Sequence, residues 1–192
     1  MRNMKIGIQG GKGSFNEEAC RNYCGTHDIS DYTIEYLYTS DKVLEALEKR
    51  TIDFGVAAID NSLGGPVWET IHALSAYNCK ILDNFQIIIN HVLFVAPGVK
   101  LSDVDTIMSH PQALAQTKGN LARLYGNKKL VSGEGILVDQ ATAALALSKG
   151  ELPRTTAVIA SKVCASFGLD ILAEGLQDMA ENLTTFLWME PR

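Results

Sequence analysis

Short apolar runs alternate with helix-type segments along this chain, and that alternation restricts it to an α/β fold with substantially parallel sheets. Lys5 to Gln9 reads as a buried strand that ends in Gly10-Gly11-Lys12-Gly13-Ser14. Ser14 is placed to cap a helix through about Tyr23, and Glu17 sits three residues on, as a capping box requires. Thr33 to Tyr38 alternates like a strand. Ser40 can cap an amphipathic helix, Asp41 to Lys49, with Val43, Leu44 and Leu47 on one face. Asp53 to Ile59 is the next strand and runs into Asp60-Asn61-Ser62-Leu63-Gly64-Gly65-Pro66. Polar side chains at the C-terminal end of a strand lie where open α/β sheets bind ligands, although the same residues form turns readily. Val67 to Tyr77 completes this part as a helix.

The most informative later stretch is Thr106-Ile107-Met108-Ser109-His110-Pro111-Gln112-Ala113-Leu114-Ala115-Gln116. It predicts a strand that stops at Ser109-His110 and turns at once into a helix running through Tyr125. Pro111 suits the first helical position, where its missing amide would have had no partner. Such a junction aims backbone N–H groups and the positive end of the helix dipole at whatever lies above the sheet. Gln112 and Gln116, four residues apart, share one helix face. The arrangement suits a carboxylate, and equally a well-capped αβ unit.

Lys80 to Ala96 is a long apolar stretch, enough for two strands or for a crossing between lobes, and Pro97-Gly98 ends it. Asn90 and His91 are polar positions within it, and His91 reads as a hydrogen-bonded core histidine. Lys129 to Val131 is a short strand and Gly133-Glu134-Gly135 a turn, followed by an Ala-rich helix, Leu137 to Lys149, with Asp139 near its start. After Pro153, Thr156 to Ile159 reads as a strand, Ser161 to Phe167 as a helix ended by Gly168, and Ile171 to Ala173 as a strand. Leu183 to Met189 is the last strand. Neighbours on a strand face opposite sides, so only one of Thr184 and Thr185 can point to a given face. The pattern predicts two lobes, residues 1–80 with 160–192 and residues 81–159, enclosing a cleft of the kind small ligands occupy.

A net charge of −5 argues against a nucleic-acid surface. The longest apolar run, Ile87 to Ala96, is too short to span a bilayer. Met1-Arg2-Asn3-Met4-Lys5 leads straight into a strand with no leader-type apolar region. Cys20, Cys24, Cys79 and Cys164 form no C-x-x-C pair and read as buried thiols of a cytoplasmic protein, with no metal site.

Taken together, Gly10-x-x-Gly13-Ser14-Phe15, Asp60-Asn61-Ser62-Leu63-x-Gly65, His91-x-Leu93, the block Ser109 to Gln116, Gln177-Asp178 and Asn182-x-Thr184-x-Phe186 closely resemble the prephenate dehydratase family. The resemblance covers essentially the whole chain. It implies a two-lobed fold like that of periplasmic binding proteins, with the active site in the interlobe cleft. It also implies a reaction, the decarboxylating dehydration of prephenate to phenylpyruvate on the route to phenylalanine, with no metal or organic cofactor and a small dicarboxylate as the partner. The family's acid, the threonine of its Thr-Arg-Phe motif, corresponds to Thr184. Asn61 and Ser62 accompany it as catalytic residues. Asp60, Ser109, His110, Gln112, Gln116, Thr185 and Phe186 are expected to contact substrate, with backbone amides near Gly13 and Ser14 and at the Pro111 helix start holding carboxylate. A homodimer or homotetramer is implied as well.

This chain departs from the family pattern at several positions. Thr185 replaces the arginine that follows the catalytic threonine, which removes a forked cation suited to a carboxylate. Asp60 stands for a glutamate, and Gly11 and Lys12 stand where proline and an acidic residue are usual. Lys12 either restores part of the lost positive charge or is a solvated lysine. Asp139-Gln140-Ala141 replaces a Ser-Thr-Ala pattern. The sequence reaches Arg192 shortly after Phe186, from which no ACT regulatory domain and no feedback inhibition in cis are expected. Three functions remain open: a dehydratase of prephenate or its aminated analogue arogenate, a prephenate decarboxylase that does not aromatise the ring, and a non-catalytic carboxylate-binding module.

Overall fold

A computed structural model of the chain describes residues 3–192, which divide into two units, 3–88 with Glu181–Arg192 and Ile89–Ala180. The sequence-based reading of the extreme N-terminus falls partly on Met1 and Arg2, outside the described residues.

The first unit is built on a six-stranded sheet. Strands β1 (Met4–Ile8), β2 (Tyr32–Tyr36) and β3 (Phe54–Asn61) are parallel, in the order β2-β1-β3. Helices α1 (Phe15–Thr26) and α2 (Ser40–Glu48) connect them. A short β4 (Gly65–Pro66) folds back on β3 and leads to α3 (Trp68–Ala76). The next strand, β5 (Cys79–Ile88), is an edge strand, because the final strand β11 (Leu183–Pro191) inserts between it and β3, antiparallel to both. The sheet is therefore mixed where parallel strands were expected.

Packing follows strand parity. Leu187 and Met189 of β11 join Val43, Leu44 and Leu47 of α2 in one core. The alternate residues Phe186 and Trp188 face an aromatic cluster in which Tyr23 of α1 stacks on Trp188 with ring centroids 4.4 Å apart, and Phe85 stacks on Phe186 at 5.7 Å. Gly55 permits the close approach of α2, since a Cβ there would lie 2.8 Å from both Val43 Cγ1 and Leu47 Cδ1.

The second unit has a five-stranded sheet made of β6 (Val92–Val95), β7 (Thr106–Met108), β8 (Lys129–Val131), β9 (Thr156–Ala160) and β10 (Asp170–Ala173), in the order β10-β6-β9-β7-β8. β9, β7 and β8 are parallel, whereas β6 and β10 run antiparallel to their neighbours. Val92, Phe94, Val158 and Ala160 pack against α6 (Gln140–Ser148) on one face. Leu93, Val95, Ala157 and Ile159 pack with Leu121 and Tyr125 of α5 (Lys118–Tyr125) on the other. Covering on both faces explains why these strands read as continuous apolar runs.

Several boundaries differ from expectation. All of β5 pairs along β11, so the chain leaves the first unit at Ile88 and not near residue 80. β10 pairs with β6, so residues 160–180 belong to the second unit. The helix expected from Pro111 to Tyr125 is two helices, α4 (Pro111–Gln116) and α5, because the buried Thr117 hydroxyl donates back to Ala113 O at 2.7 Å and its φ of −116° leaves the helical range. Thr39, not Ser40, caps α2. The segment Lys162–Phe167 is a 3-10 helix that ends at Gly168, whose φ is +80°. The four cysteines carry no disulfide, and Cys79 is only half-buried.

Candidate functional site

Thr184, Asn61 and Ser62 come together at one end of the β3–β11 pair. Thr184 lies opposite Asn61 in register, and Thr185 opposite Asp60. The register then slips, because β3 carries one extra residue, Ile59, before Ala58 meets Phe186. Such a bulge turns the strand end and changes the aim of the side chains beyond it. Its extra carbonyl, Ile59 O, accepts from Val67 N at 2.9 Å, so no buried acceptor is left open.

Asn61 is held from two sides. Its Oδ1 accepts from Leu63 N at 3.1 Å and Gly64 N at 2.7 Å, closing the turn between β3 and β4. Both partners are obligate donors, so the amide can face only one way, with Nδ2 toward Asn182 Oδ1 (2.9 Å), Leu183 O (3.1 Å) and Thr184 Oγ1 (2.8 Å). The Thr184 oxygen therefore accepts from Asn61 and keeps its own proton for another acceptor. Thr184 is 7% exposed. A hydroxyl that accepts one hydrogen bond becomes a better donor, more so where the dielectric is low.

Ser62 works on the backbone. Its hydroxyl donates to Glu181 O at 3.1 Å and accepts from Leu183 N at 3.0 Å, while Ser62 N donates to Leu183 O at 2.8 Å. It pins the start of β11 and so places Thr184; the expected direct catalytic contact is replaced by positioning. Thr185 points to the opposite face, where Gln86 Nε2 donates to its hydroxyl at 3.0 Å.

Two expected ligand contacts in the first unit are corrected. Phe186 is 1% exposed and belongs to the aromatic core. Strand parity puts it on the face of Thr184, but burial within the sheet removes it from any ligand. The amides of the glycine loop are also occupied: Gly13 N donates to Glu17 Oε2 at 2.7 Å, and Ser14 N donates to Gly11 O at 3.2 Å. Ser14 Oγ caps the helix by accepting from Glu17 N at 3.3 Å. Glu17 thus reaches Gly13 in place of the capping-box target. It is 1% exposed, and Arg21 donates to its Oε1 through Nε at 2.8 Å and Nη2 at 2.7 Å. Burial, then the Glu17 carboxylate, pushes the nearby Tyr36 phenol up to about 12. Lys12 is exposed on the same loop.

In the second unit the Ser109–Gln116 block is internally braced. Ser109 is fully buried, and its hydroxyl donates to Ile159 O at 2.9 Å, so its donor serves the sheet. His110 is the N-cap of α4: its Nδ1 accepts from Gln112 N at 3.1 Å, which takes one of the amides expected to hold carboxylate. The Gln112 side chain is exposed, and Gln116 is half-buried with its Oε1 2.8 Å from His91 Nε2. Asp139 caps α6, accepting from Thr142 N at 2.7 Å and Thr142 Oγ1 at 2.9 Å.

Asn182, Gln177 and Asp178 were outside the expected set of site residues, yet each supports a member of it. The Asn182-x-Thr184 spacing carried the signal, since residues two apart on a strand share a face. Among the described residues no group of three or more His, Cys, Asp or Glu side chains converges as a metal ion would need. No helix among them is long and apolar enough to cross a membrane.

The chain is similar to several known proteins. The family model described as prephenate dehydratase matches residues 6–192. Arogenate dehydratase 5, chloroplastic, from Arabidopsis thaliana is 32% identical over 187 residues, covering 97% of this chain and 42% of the relative. Arogenate dehydratase/prephenate dehydratase 2, chloroplastic, from the same plant is 29% identical, covering 97% and 46%. The chain thus spans less than half the length of these curated relatives. Among solved structures, a prephenate dehydratase from Arthrobacter aurescens in complex with L-Phe superposes with a TM-score of 0.85 at 26% identity, covering 98% of this chain and 61% of that one. GqqA, described as a novel type of quorum-quenching acylase, superposes with a TM-score of 0.83 at 26% identity, covering 98% and 64%. With the family model spanning nearly every residue, the chain belongs to the prephenate dehydratase family.

Proposed function

We propose that this protein is a lyase that converts prephenate to phenylpyruvate, with Thr184 as the proton donor. The observation that carries the reading is the direction of the Asn61–Thr184 hydrogen bond, which keeps the Thr184 proton available. In the reaction the bond between the ring and its carboxylate breaks, and carbon dioxide leaves. The electron pair moves into the ring and expels the hydroxyl on the opposite carbon, which takes the proton offered by Thr184 and departs as water. Solvent returns a proton to Thr184. A threonine is a weak acid, so aromatisation supplies much of the driving force and the oriented O–H supplies charge stabilisation where the leaving oxygen becomes negative. Gln112 and Gln116 are the proposed carboxylate donors of the second unit.

Arogenate is a second candidate substrate. Asp60 and Thr185 pair in register on the face away from Thr184, so neither is proposed as a contact of the substrate that Thr184 protonates. What supports arogenate is that the curated relatives described above carry it in their names. A cytoplasmic location and a homodimer or homotetramer complete the proposal; light scattering of the purified chain tests the latter.

The deciding experiment incubates the chain with prephenate, and separately with arogenate, at neutral pH beside Thr184→Ala and an enzyme-free blank. Phenylpyruvate from prephenate above the blank, absent with Thr184→Ala, supports the reading, and phenylalanine from arogenate under the same controls supports the second substrate. A non-aromatic keto acid would make the protein a decarboxylase. Both substrates recovered unchanged would leave a binding module.

A further inference from the structure

The bulge at Ile59 decides which side chain meets Thr184. With it, Thr184 pairs with Asn61 and Thr185 with Asp60. An unbroken ladder running on from the Phe186–Ala58 pair would instead set Thr184 opposite Asp60. Neighbours on a strand point to opposite faces, so a slip of one residue exchanges every side chain beyond it. The difference is chemical as well as geometric. Asn61 donates to the Thr184 oxygen at 2.8 Å, which leaves the hydroxyl proton for another acceptor. A carboxylate in that place can only accept, and would take the proton.

Side chains from neighbouring elements hold the backbone at the bulge. The pairing of β1 with β3 ends at Ile8 and Val56. Just beyond, Ala58 N donates to Gln9 Oε1 at 3.1 Å, and Gln9 Nε2 donates to Glu69 Oε2 at 3.1 Å. Ala58 O accepts from Thr70 Oγ1, in the first turn of α3, at 2.6 Å. That bond uses the single hydroxyl proton of Thr70, so Ser40 Oγ, 2.7 Å away, is the donor between the two hydroxyls. Ser40 and Thr70 are both 0% exposed. Ser40 N also donates to Glu69 Oε1 at 2.8 Å, which ties the start of α2 to the start of α3. The carbonyl of the extra residue, Ile59 O, is held by Val67 N at the same helix start. Buried donors and acceptors are costly to leave unpaired, so this relay fixes where Ala58 and Ile59 sit.

We propose that Thr70 is a positioning residue of the Thr184 site: acting through Ala58, it holds the bulge that brings the Asn61 amide, and not the Asp60 carboxylate, opposite Thr184. The proposal rests on the dehydratase reading for the reaction that this register serves. Ser40 completes the device by holding the Thr70 hydroxyl in place. Bulges re-aim side chains beside functional sites, and here the re-aiming selects a donor over an acceptor. A site whose register is set before the substrate arrives needs no reorganisation during the reaction.

Two measurements on the full chain test this. Thr70→Val keeps the shape of the side chain and removes its hydroxyl. Cross-strand contacts between backbone protons, read by nuclear magnetic resonance, are expected to place Thr184 opposite Asn61 in the wild type and to show a second register, with Thr184 opposite Asp60, in Thr70→Val. Kinetics with prephenate follow. Thr70→Val should lower kcat at least about 10-fold, part of the roughly 10²–10⁴-fold that a positioned proton donor contributes, with KM changed by no more than about 3-fold. Thr70→Ser, which keeps the hydroxyl, should recover most of the activity. Adding Asp60→Asn to Thr70→Val should also raise kcat, because the slipped register then offers Thr184 an amide again. Ser40→Ala, which removes only the outer hydroxyl, should show the same split with a smaller fall, and it carries the test should Thr70→Val not fold. Wild-type contacts alone in the variants, or a fall in kcat that Asp60→Asn does not relieve, would overturn the proposal. Failure of the wild-type chain to turn over prephenate would refute the dehydratase reading, and the cross-strand contacts would still decide whether Thr70 sets the register.

Discussion

Asn61→Asp keeps the shape of the side chain and reverses one hydrogen bond. The amides of Leu63 and Gly64 continue to donate to it, now to a charged acceptor. The atom that faces Thr184 changes from a donor to an acceptor, so the Thr184 hydroxyl rotates and gives its proton to the new carboxylate. Two acceptors, Asn182 Oδ1 and Leu183 O, also lose the nitrogen that lay 2.9 and 3.1 Å away. An amide has two N–H groups, so the lost donations cost roughly 1–3 kcal/mol of stability at 0.5–1.5 kcal/mol each, offset in part by the stronger turn. The effect on rate is larger. A positioned proton donor contributes about 10²–10⁴-fold, or about 3–5 kcal/mol in the barrier. The expected result is a kcat lower by about 100-fold or more, with KM changed by no more than about 3-fold, since binding of the ground state does not use that proton. Asn61→Ala provides the control. It loses every hydrogen bond of the side chain, about 2–4 kcal/mol, yet recruits no proton from Thr184. It should therefore be the less stable variant and the more active one. Phenylpyruvate formation at neutral pH and thermal unfolding of the same preparations decide the matter. Were Asn61→Ala to fall further in kcat than Asn61→Asp, the proposed direction of proton donation would be refuted.

Three other outcomes are expected. Thr185→Arg restores the family's forked cation on the face that Thr185 shares with Gln86, away from Thr184, so KM for prephenate should change by no more than about 3-fold, and a fall of about 10-fold would put that face at the substrate; Lys12→Ala should raise KM for prephenate if Lys12 carries the missing charge, and an unchanged KM would make it a solvated lysine. His91 titrates in the folded state below its ordinary 6.5 because burial disfavours its charged form, so on acidification the unfolded chain takes up a proton first and stability falls as pH drops through about 6.5, by at most about 1.4 kcal/mol per pH unit. Urea unfolding of His91→Gln should show a flatter dependence between about pH 5 and 6.5, and an identical slope would contradict the assignment. Glu17→Ala removes the acceptor for Gly13 N and the buried partner of Arg21, whose side chain is 52% exposed and can turn to water, so a loss of about 2–3 kcal/mol is expected in calorimetry. An unchanged melting temperature would show that Glu17 does not hold the glycine loop.

The strands and most helices were legible in the sequence because apolar periodicity is a local signal. Val92 to Val95 and Thr156 to Ala160 announce a sheet covered on both faces by their unbroken apolar character. Pro111 announced a helix start through its own ring geometry. Strand direction was not legible: nothing local in Leu183 to Met189 says that it inserts antiparallel between β3 and β5. The pair Thr184 and Thr185 shows the limit most clearly. Alternation says that the two face opposite ways, but which one meets Asn61 depends on a register set from more than 120 residues away. The glycine loop misled for a similar reason. Glu17 is a plausible capping-box residue by spacing, and its actual target, Gly13 N, lies only one residue off the expected one, yet that difference uses up the amide expected to bind carboxylate. The bracing role of Gln177-Asp178 was not legible, because its partners, His91, Gly119 and Asn120, are distant in sequence.

The insertion of β11 between β3 and β5 has a consequence for how the protein is made. The first unit's sheet has a vacancy at its centre until Leu183–Pro191 arrives, and the whole second unit, Ile89–Ala180, is synthesised before it. The second unit is continuous in sequence and can close while still on the ribosome; the first must hold β5 unpaired through that interval, with Ile87, buried in the finished sheet, left uncovered. Thr184 is thus delivered to Asn61 only after the second unit has been synthesised, and the proposed proton donor is assembled in the same step that pairs the inner edge of β5.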